Sequence, residues 1–498
     1  MRGKGRTRLP TYNRPLIQLL ENRPMNTLAA WLAAGARSTP QRAALLTQQG
    51  RWSYAELNET AWRGAAWLRA SGLLAGTATP IAAFAGDACE LTLAAVACSA
   101  AGCGLLPLDP QNADARWPAL AAMGGLHLRR LPALPAQFPA AEAEATATTA
   151  TDAAPLPAVA LVIATSGSEG APKAVMLTPG NLDAAARAAN ERLPLAAGDL
   201  WLGCLPLHHI GGMSILHRCL RAGATLLQHE GFDAAAVWRD LHAHPVTHIS
   251  LVPAMLARLL DHAESAGGGE HVPPPTLRYA MIGGAALSRP LFERARAAGW
   301  PLCPSWGMSE SAAQAATLAA PGADWREGEV GTPLPGFECR IGDGDGSSGR
   351  VHLRGPQVMA GYLNPELRPG DGLLDGWLPT ADLGRIDAAG RLTVLGRADD
   401  VFISGGVNVH PLEVESCLAA CPGVADVAVT ALPDPVWGDA LVALIVGSAE
   451  AETVREWGRQ RLLSAQRPRR VLRVARLPRN AMGKIERAAL RALAREAA

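Results

Sequence analysis

Between Thr27 and about Ala122, apolar residues recur at helical spacing in some stretches and gather into short runs in others. That pattern predicts helices alternating with short strands. "MNTLAAWLAAGA", opening at Met25, has the apolar spacing of a helix. The longest apolar stretch, residues 91–108, is mostly Ala, Gly, Ser and Cys and stops at "PLDP". It is too short and too weakly hydrophobic for a membrane span, and predicts a buried helix feeding a strand. Residues 128–157, rich in Ala, Pro and Thr with little periodicity, read as a surface linker. From Ala158 to about Gly396 the succession of apolar strand, glycine turn and helix returns. Such alternation predicts an α/β fold in which helices cover largely parallel sheets. After "GRADD", residues 396–400, the chain becomes a compact α+β unit of short strands and helices, so a domain boundary is placed there. The expected organisation is a large N-terminal domain over residues 25–396 and a smaller C-terminal domain over 397–498. Residues 1–24 are basic but lack a following hydrophobic segment. They read as a dispensable disordered extension or a misassigned start, not as a signal peptide.

Length changes this picture little: 498 residues exceed what one core usually organises. Charge changes it more. The 46 Lys and Arg nearly cancel 45 Asp and Glu, and a net charge of +1 leaves no electrostatic case for nucleic acid or an anionic membrane as partner. The 9 cysteines are scattered without a CxxC pair. Cys417 and Cys421 lie one helical turn apart, but structural zinc needs four converging ligands, so ordinary buried thiols are expected. The odd count without a disulfide framework points to a reducing cytoplasm.

The chemistry is concentrated in "ALVIATSGSEGAPKAVMLT", where an apolar strand runs into Thr165, Ser166, Gly167, Ser168, Glu169 and Gly170, then Lys173. Glycines let backbone approach a phosphate, hydroxyls and amides donate to its oxygens, and the lysine adds positive charge. A polar surface turn has the same composition. No GK[ST] follows, so this is not a Walker loop. Two decoys fall away. "GDGDGSSG" fits a dinucleotide fingerprint but precedes a strand-like "RVHLRG" instead of a helix. His208 and His209 suggest an acyltransferase HHxxxD, yet Met213 occupies the position that would need aspartate.

The loop resembles the phosphate loop of the adenylate-forming superfamily: acyl-CoA synthetases, luciferases and peptide-synthetase adenylation domains. The resemblance spans nearly the whole chain in the family's order, through "AAGCGLLPLDP", "LPLHHIGG", "IGGAAL", "WGMSES", "GWLPTADLG", "GRADD", "SGGVNVHPLEVE" and "NAMGKIER". It implies an ATP-dependent acid:CoA ligase that forms an acyl-adenylate and then a thioester, with ATP, Mg²⁺ and coenzyme A as cofactors. It further implies that Thr165, Ser166, Gly167, Ser168, Gly170 and Lys173 hold the β- and γ-phosphates. Glu310 would bind Mg²⁺, a hard cation suited to oxygen ligands. Ser309, where threonine is usual, would donate to phosphate beside Gly307. Trp306 would stack on adenine, with Gly283, Gly284 and Ala285 meeting the base. Asp382 would accept from the ribose and Arg397 would reach the ribose or α-phosphate. Alanine replaces the family's glycine at Ala381, so an altered ribose loop is expected. Lys484 would bridge carboxylate and α-phosphate when the mobile C-terminal domain closes. Rotation about Asp399 would then present Ser404, Gly405 and Gly406 beside the pantetheine channel.

His209 and Gly211 fall where the family binds the acyl group, and "LPLHHIGG" lacks the aspartate of amino-acid-activating relatives. No carrier-domain serine motif follows, and the ending "REAA" is not a peroxisomal signal. "CLPLHHIGGMSILHRCLRAGATL", "THISLVPAMLARLL" and "WGMSESAAQ" look like the o-succinylbenzoate–CoA ligases of menaquinone biosynthesis. In that branch an arginine nine residues after the acyl-site histidine faces the distal carboxylate, a position held here by Arg218, with Gln314 also toward the substrate. An arginine reaching out of a helix to solvent is the competing reading of Arg218. His208 stands where phenylalanine is usual, which leaves another aryl or alkyl acid, or a carrier-loading adenylation enzyme, as alternatives. A degenerate binding protein is a further class, but no key polar position is lost. A homodimer is the assembly considered.

Overall fold

A computed structural model describes residues 27–72, 74–77, 79–135, 138–139, 159–165, 173–265, 272–342, 348–479, 483 and 485–496. The expectations for residues 1–24, for most of the 128–157 segment, and for Ser166, Gly167, Ser168, Gly170 and Lys484 lie outside them.

The predicted helix and strand at residues 91–108 form as Ala88–Ala101 and Gly104–Leu108. Asp87 accepts from the Glu90 amide while the Glu90 side chain returns to the Asp87 amide, a capping box that fixes where this helix starts. Gly102 ends it in a left-handed conformation. Leu128–Arg130, read as linker from the sequence, instead adds a parallel strand beside Ile81–Ala85. Three residues are too few to show a period, and buried Leu128 provides the apolar anchor.

Two sheets dominate the N-terminal part. The first has 8 strands, parallel through Leu302–Met308, Tyr279–Ile282, His248–Leu251, Leu200–Gly203, Thr225–Gln228 and Ala43–Leu46. The second has 6, parallel through Leu161–Thr165, Gly104–Leu108, Ile81–Ala85 and Leu128–Arg130, with Lys173–Leu177 and Gly361–Tyr362 antiparallel at one edge. Parallel strands need both faces covered, which their continuous apolar runs reflect. Trp201, Met281 and Cys303 of the first sheet and Ile163, Val175 and Leu177 of the second face one shared core. The helices Tyr54–Ala70, Ala88–Ala101 and Ile210–Ala222 contribute to that core as well. Alternate residues Leu202, Ile249 and Ile282 face a separate core with the helices Ala234–Ala243 and Pro253–Ser265.

A third sheet of 5 antiparallel strands ends at Leu392–Arg397. A single turn, Ala398–Asp400, leads to a fourth sheet built on Phe402–Ser404, Val407–Val409, Val424–Asp434, Gly438–Gly447 and Arg470–Arg473. Helices Pro411–Ala419 and Ala451–Arg461 cover one of its faces, and Arg487–Glu496 the other.

Glu327 lies where the two parts meet. The Arg289 amide donates to one carboxylate oxygen, and the other is buried without a partner. Burial raises its pKa from 4.5 to about 7, and the Glu415 carboxylate across the boundary adds to the rise. A raised carboxylate binds its proton more tightly when folded. Its contribution is therefore complete below pH 4.5 and is lost as pH climbs through 7. Glu327→Gln should raise stability by about 2–3 kcal/mol at pH 8 and hardly at all at pH 5. Urea unfolding at both pH values checks this; an equal gain at both would assign the effect to packing.

Candidate active site

The strands Leu161–Thr165 and Lys173–Leu177 form an antiparallel hairpin in which Thr165 stands opposite Lys173. Thr165 and Lys173, which flank the glycine-rich segment, thus stand at the facing ends of two paired strands. The Thr165 hydroxyl donates to the Lys173 carbonyl at 3.3 Å, and the Arg116 guanidinium donates to the Thr165 carbonyl at 3.1 Å. Arg116 was missed from the sequence, because nothing on the helix Ala113–Gly124 points to phosphate. It also lines an open cleft with Asp109, Asn112, Ala164, His208 and His209, which brings the acyl-site motif to the foot of the phosphate hairpin. The ring centroids of His208 and His209 are 4.5 Å apart, and burial lowers the His208 pKa. His209 is the residue before the helix Ile210–Ala222, and its carbonyl accepts from the Gly212 and Met213 amides. Gly211 sits in the first turn of that helix.

"WGMSES" runs from the end of Leu302–Met308 into the 3₁₀ turn Ser309–Ser311. Gly307 is required by contact: a Cβ there would overlap the Ala313 carbonyl oxygen. Buried Ser311 accepts from the Met308 amide at 3.0 Å, which closes the turn and sets Ser309 and Glu310 on its outer side. Glu310 accepts from the Tyr362 hydroxyl at 2.9 Å. No group of three or more His, Cys, Asp or Glu able to hold a metal occurs among the described residues. One carboxylate nevertheless fits Mg²⁺, which keeps waters and takes most of its oxygens from phosphates.

The Trp306 indole donates to Asp382 at 2.9 Å, so the residues expected at adenine and ribose meet directly. Arg397 stands opposite Asp382 across the pairing of Leu378–Ile386 with Leu392–Arg397. Ala381 lies inside Leu378–Ile386 and is not among the residues with positive φ, but the register with Gly349–Arg354 shifts between Pro379 and Leu383, so the strand is irregular where Ala381 sits. Gly283–Ala285 follow the strand Tyr279–Ile282, and a Cβ on Gly284 would reach Val252 Cγ1 at 3.3 Å. From the C-terminal part, a Cβ on Gly483 would reach Val252 Cγ2 at 3.0 Å. The residue preceding Lys484 is therefore docked beside the adenine-side loop.

Arg218 is 2% exposed, so it does not reach solvent. Its helix, Ile210–Ala222, lies between the two large sheets and is buried continuously from Gly212 to Leu220. The guanidinium lies 5.4 Å from the Trp201 ring centroid and 3.8 Å from Met281 Sδ. It has no carboxylate partner among the described residues, and burial lowers its pKa to about 10, so it stays charged at neutral pH. Ser250, in register with Met281 on the next strand, has a buried hydroxyl without a partner. Buried Gln314 donates to Thr317 at 2.6 Å while its carbonyl oxygen accepts nothing.

Gly405 and Gly406 are not gathered with these groups. They form the two-residue turn between Phe402–Ser404 and Val407–Val409, and φ of 57° and 78° explains glycine at both positions. Asp399 pairs with Arg397 at 3.2 Å within the turn between the third and fourth sheets.

Residues 32–123 and 125–363 match the AMP-binding enzyme family, and residues 413–484 match the AMP-binding enzyme C-terminal domain. The 2-succinylbenzoate–CoA ligase of Bacillus cereus is 36% identical over 344 residues, 67% of this chain and 70% of that protein. Among solved structures, o-succinylbenzoate CoA synthetase from Bacillus subtilis in complex with its acyl-adenylate intermediate is similar with a TM-score of 0.78 at 30% identity, covering 94% of this chain and 98% of that one. ATP-bound MatB from Rhodopseudomonas palustris is similar at 0.78 and 27%, covering 93% and 98%.

Proposed function

This chain belongs to the AMP-binding enzyme family, and from that membership we propose that it is an AMP-forming acid:CoA ligase acting on o-succinylbenzoate. The observation that carries the substrate is Arg218: a guanidinium buried between two sheets without a carboxylate partner among the described residues. An uncompensated buried charge costs several kcal/mol, so such a group calls for an anion from outside the chain. A second carboxylate on the acid supplies that anion. The Ser250 hydroxyl, unpartnered among the described residues and in register with Met281, offers a further polar contact on that side.

In the first half-reaction a carboxylate oxygen of the acid attacks the α-phosphorus of ATP and pyrophosphate leaves. Anion meets anion, so the chain's contribution is positive charge and oriented donors. Lys173 and the loop before it would hold the outer phosphates, and Arg397 the ribose or α-phosphate. Trp306, Asp382 and Gly283–Ala285 would seat the nucleoside. Glu310 would hold Mg²⁺, which when bound offsets the triphosphate charge. Lys484 would bridge the reacting carboxylate and α-phosphate. Rotation about Asp399 would then bring the Gly405–Gly406 turn to the site. There the thiol of coenzyme A attacks the acyl carbonyl and AMP leaves.

No helix among the described residues is long and apolar enough to cross a membrane. All 9 cysteines are free thiols, which suits a reducing compartment, and the cytoplasm is the proposed location. A homodimer is one assembly to be tested, by sedimentation. One observation favours a second reading, a ligase for another carboxylic acid. Half-buried His208 brings a polar ring into the cleft beside His209 where the o-succinylbenzoate branch has phenylalanine. AMP release and thioester mass, measured with o-succinylbenzoate, benzoate and a medium-chain fatty acid, separate the two. The diacid should have the highest kcat/KM. Release from a monoacid with none from the diacid would exclude the assignment while leaving the ligase chemistry in place.

A further inference from the structure

Tyr362 belongs to none of the motifs that the sequence singled out, yet it touches two residues assigned to the triphosphate and its metal. It lies on Gly361–Tyr362, a two-residue strand paired with Lys173–Leu177 so that Tyr362 stands opposite Val175. Its hydroxyl donates to Glu310 Oε1 at 2.9 Å, and Lys173 Nζ lies 5.3 Å from its ring centroid. The other oxygen of Glu310 has no protein partner among the described residues. Packing fixes the ring: a Cβ on Gly372 would reach it at 2.5 Å, and the Tyr362 amide donates to the Asp371 carbonyl at 3.1 Å.

We propose that Tyr362 is a positioning residue for the metal-bound triphosphate, holding Glu310 by one carboxylate oxygen and seating the Lys173 ammonium over its ring. The two posts of the site come from distant segments, the phosphate hairpin and the "WGMSES" turn. Without a common neighbour each long side chain would have to be ordered at the moment of binding. A hydrogen bond to a carboxylate and a ring beneath an ammonium remove part of that cost beforehand. The free carboxylate oxygen then meets Mg²⁺ in a fixed direction, while Lys173 meets phosphate.

This inference rests on the ATP-using reading, and its test needs no acid. ATP binding to the full chain is measured by calorimetry, once with Mg²⁺ and once with EDTA. Tyr362→Phe keeps the ring and removes the hydroxyl. It should weaken binding about tenfold with Mg²⁺, the scale of one hydrogen bond to a charged group, and leave binding in EDTA unchanged. The half-saturating Mg²⁺ for tight ATP binding should rise by a similar factor, with the thermal midpoint unmoved. Tyr362→Leu, which also removes the ring from Lys173, should weaken binding in EDTA as well. Equal loss with and without Mg²⁺ in the Phe variant, or no loss in either, would overturn the assignment. A Phe variant that did not fold would make Tyr362 structural and overturn it too. Wild-type protein binding no Mg·ATP would remove the ATP reading itself and this inference with it.

Discussion

Lys484→Ala should slow acyl-adenylate formation by about 10²–10³-fold, the usual loss for one transition-state charge donor. Thioester formation from a supplied acyl-adenylate should survive, because in the proposed cycle the lysine has left the site by then. The residue before Lys484 meets the N-terminal part beside the adenine-side loop. Gly483 abuts Val252, next to Gly284, and Arg479 donates to the Gly483 carbonyl at 2.7 Å. Arg479 is itself held by both oxygens of Asp426 at 2.9 Å. Gly483 is therefore tied through Arg479 to Asp426 on the C-terminal strand Val424–Asp434. ATP–pyrophosphate exchange and thioester formation from synthetic acyl-adenylate, measured on the same variant, decide the matter. Equal loss in both would make Lys484 a structural residue.

Arg218→Leu should weaken use of o-succinylbenzoate by about 2–5 kcal/mol in kcat/KM, the range seen when a buried charge pair loses one partner. A monocarboxylate such as benzoate should be used as well as before or better. The leucine removes a buried guanidinium and leaves an apolar wall beside Trp201 and Met281. Stability should not fall, since replacing an unpaired buried charge by a hydrophobic side chain is often neutral or favourable. The measurement is kcat/KM for both acids in both proteins, with thermal midpoints alongside. Parallel losses on both acids would mean a structural arginine.

These two residues also differ in what the sequence reveals about them. Lys484 stands in "NAMGKIER", and that its neighbour Gly483 meets Val252 of the N-terminal part is not readable from the motif. Arg218 could be placed on a helix from sequence, but its side chain could not be assigned to solvent or interior. A helix arginine reaches out when one face of its helix is open. Ile210–Ala222 has no open face over Gly212–Leu220, because sheets lie on both sides of it. That is a property of layers, which no window of residues contains.

Local rules were enough wherever neighbours along the chain decide. The buried helix and strand at 88–108, the strand entering the glycine-rich segment and the strand after "GDGDGSSG" follow from apolar periods, capping residues and glycine positions. The order of the motifs along the chain determined the family by itself. What required the tertiary structure were the contacts between motifs: Trp306 on Asp382, Arg116 on Thr165 and Tyr362 between Lys173 and Glu310. Each joins segments whose separation in sequence carries no information about distance, since sheet register and helix packing set it. One local reading failed for the same reason. Leu128–Arg130 became a strand because Ile81–Ala85 presented an edge. Sequence determined which residues are present and in what order; pairing and burial decided which of them meet.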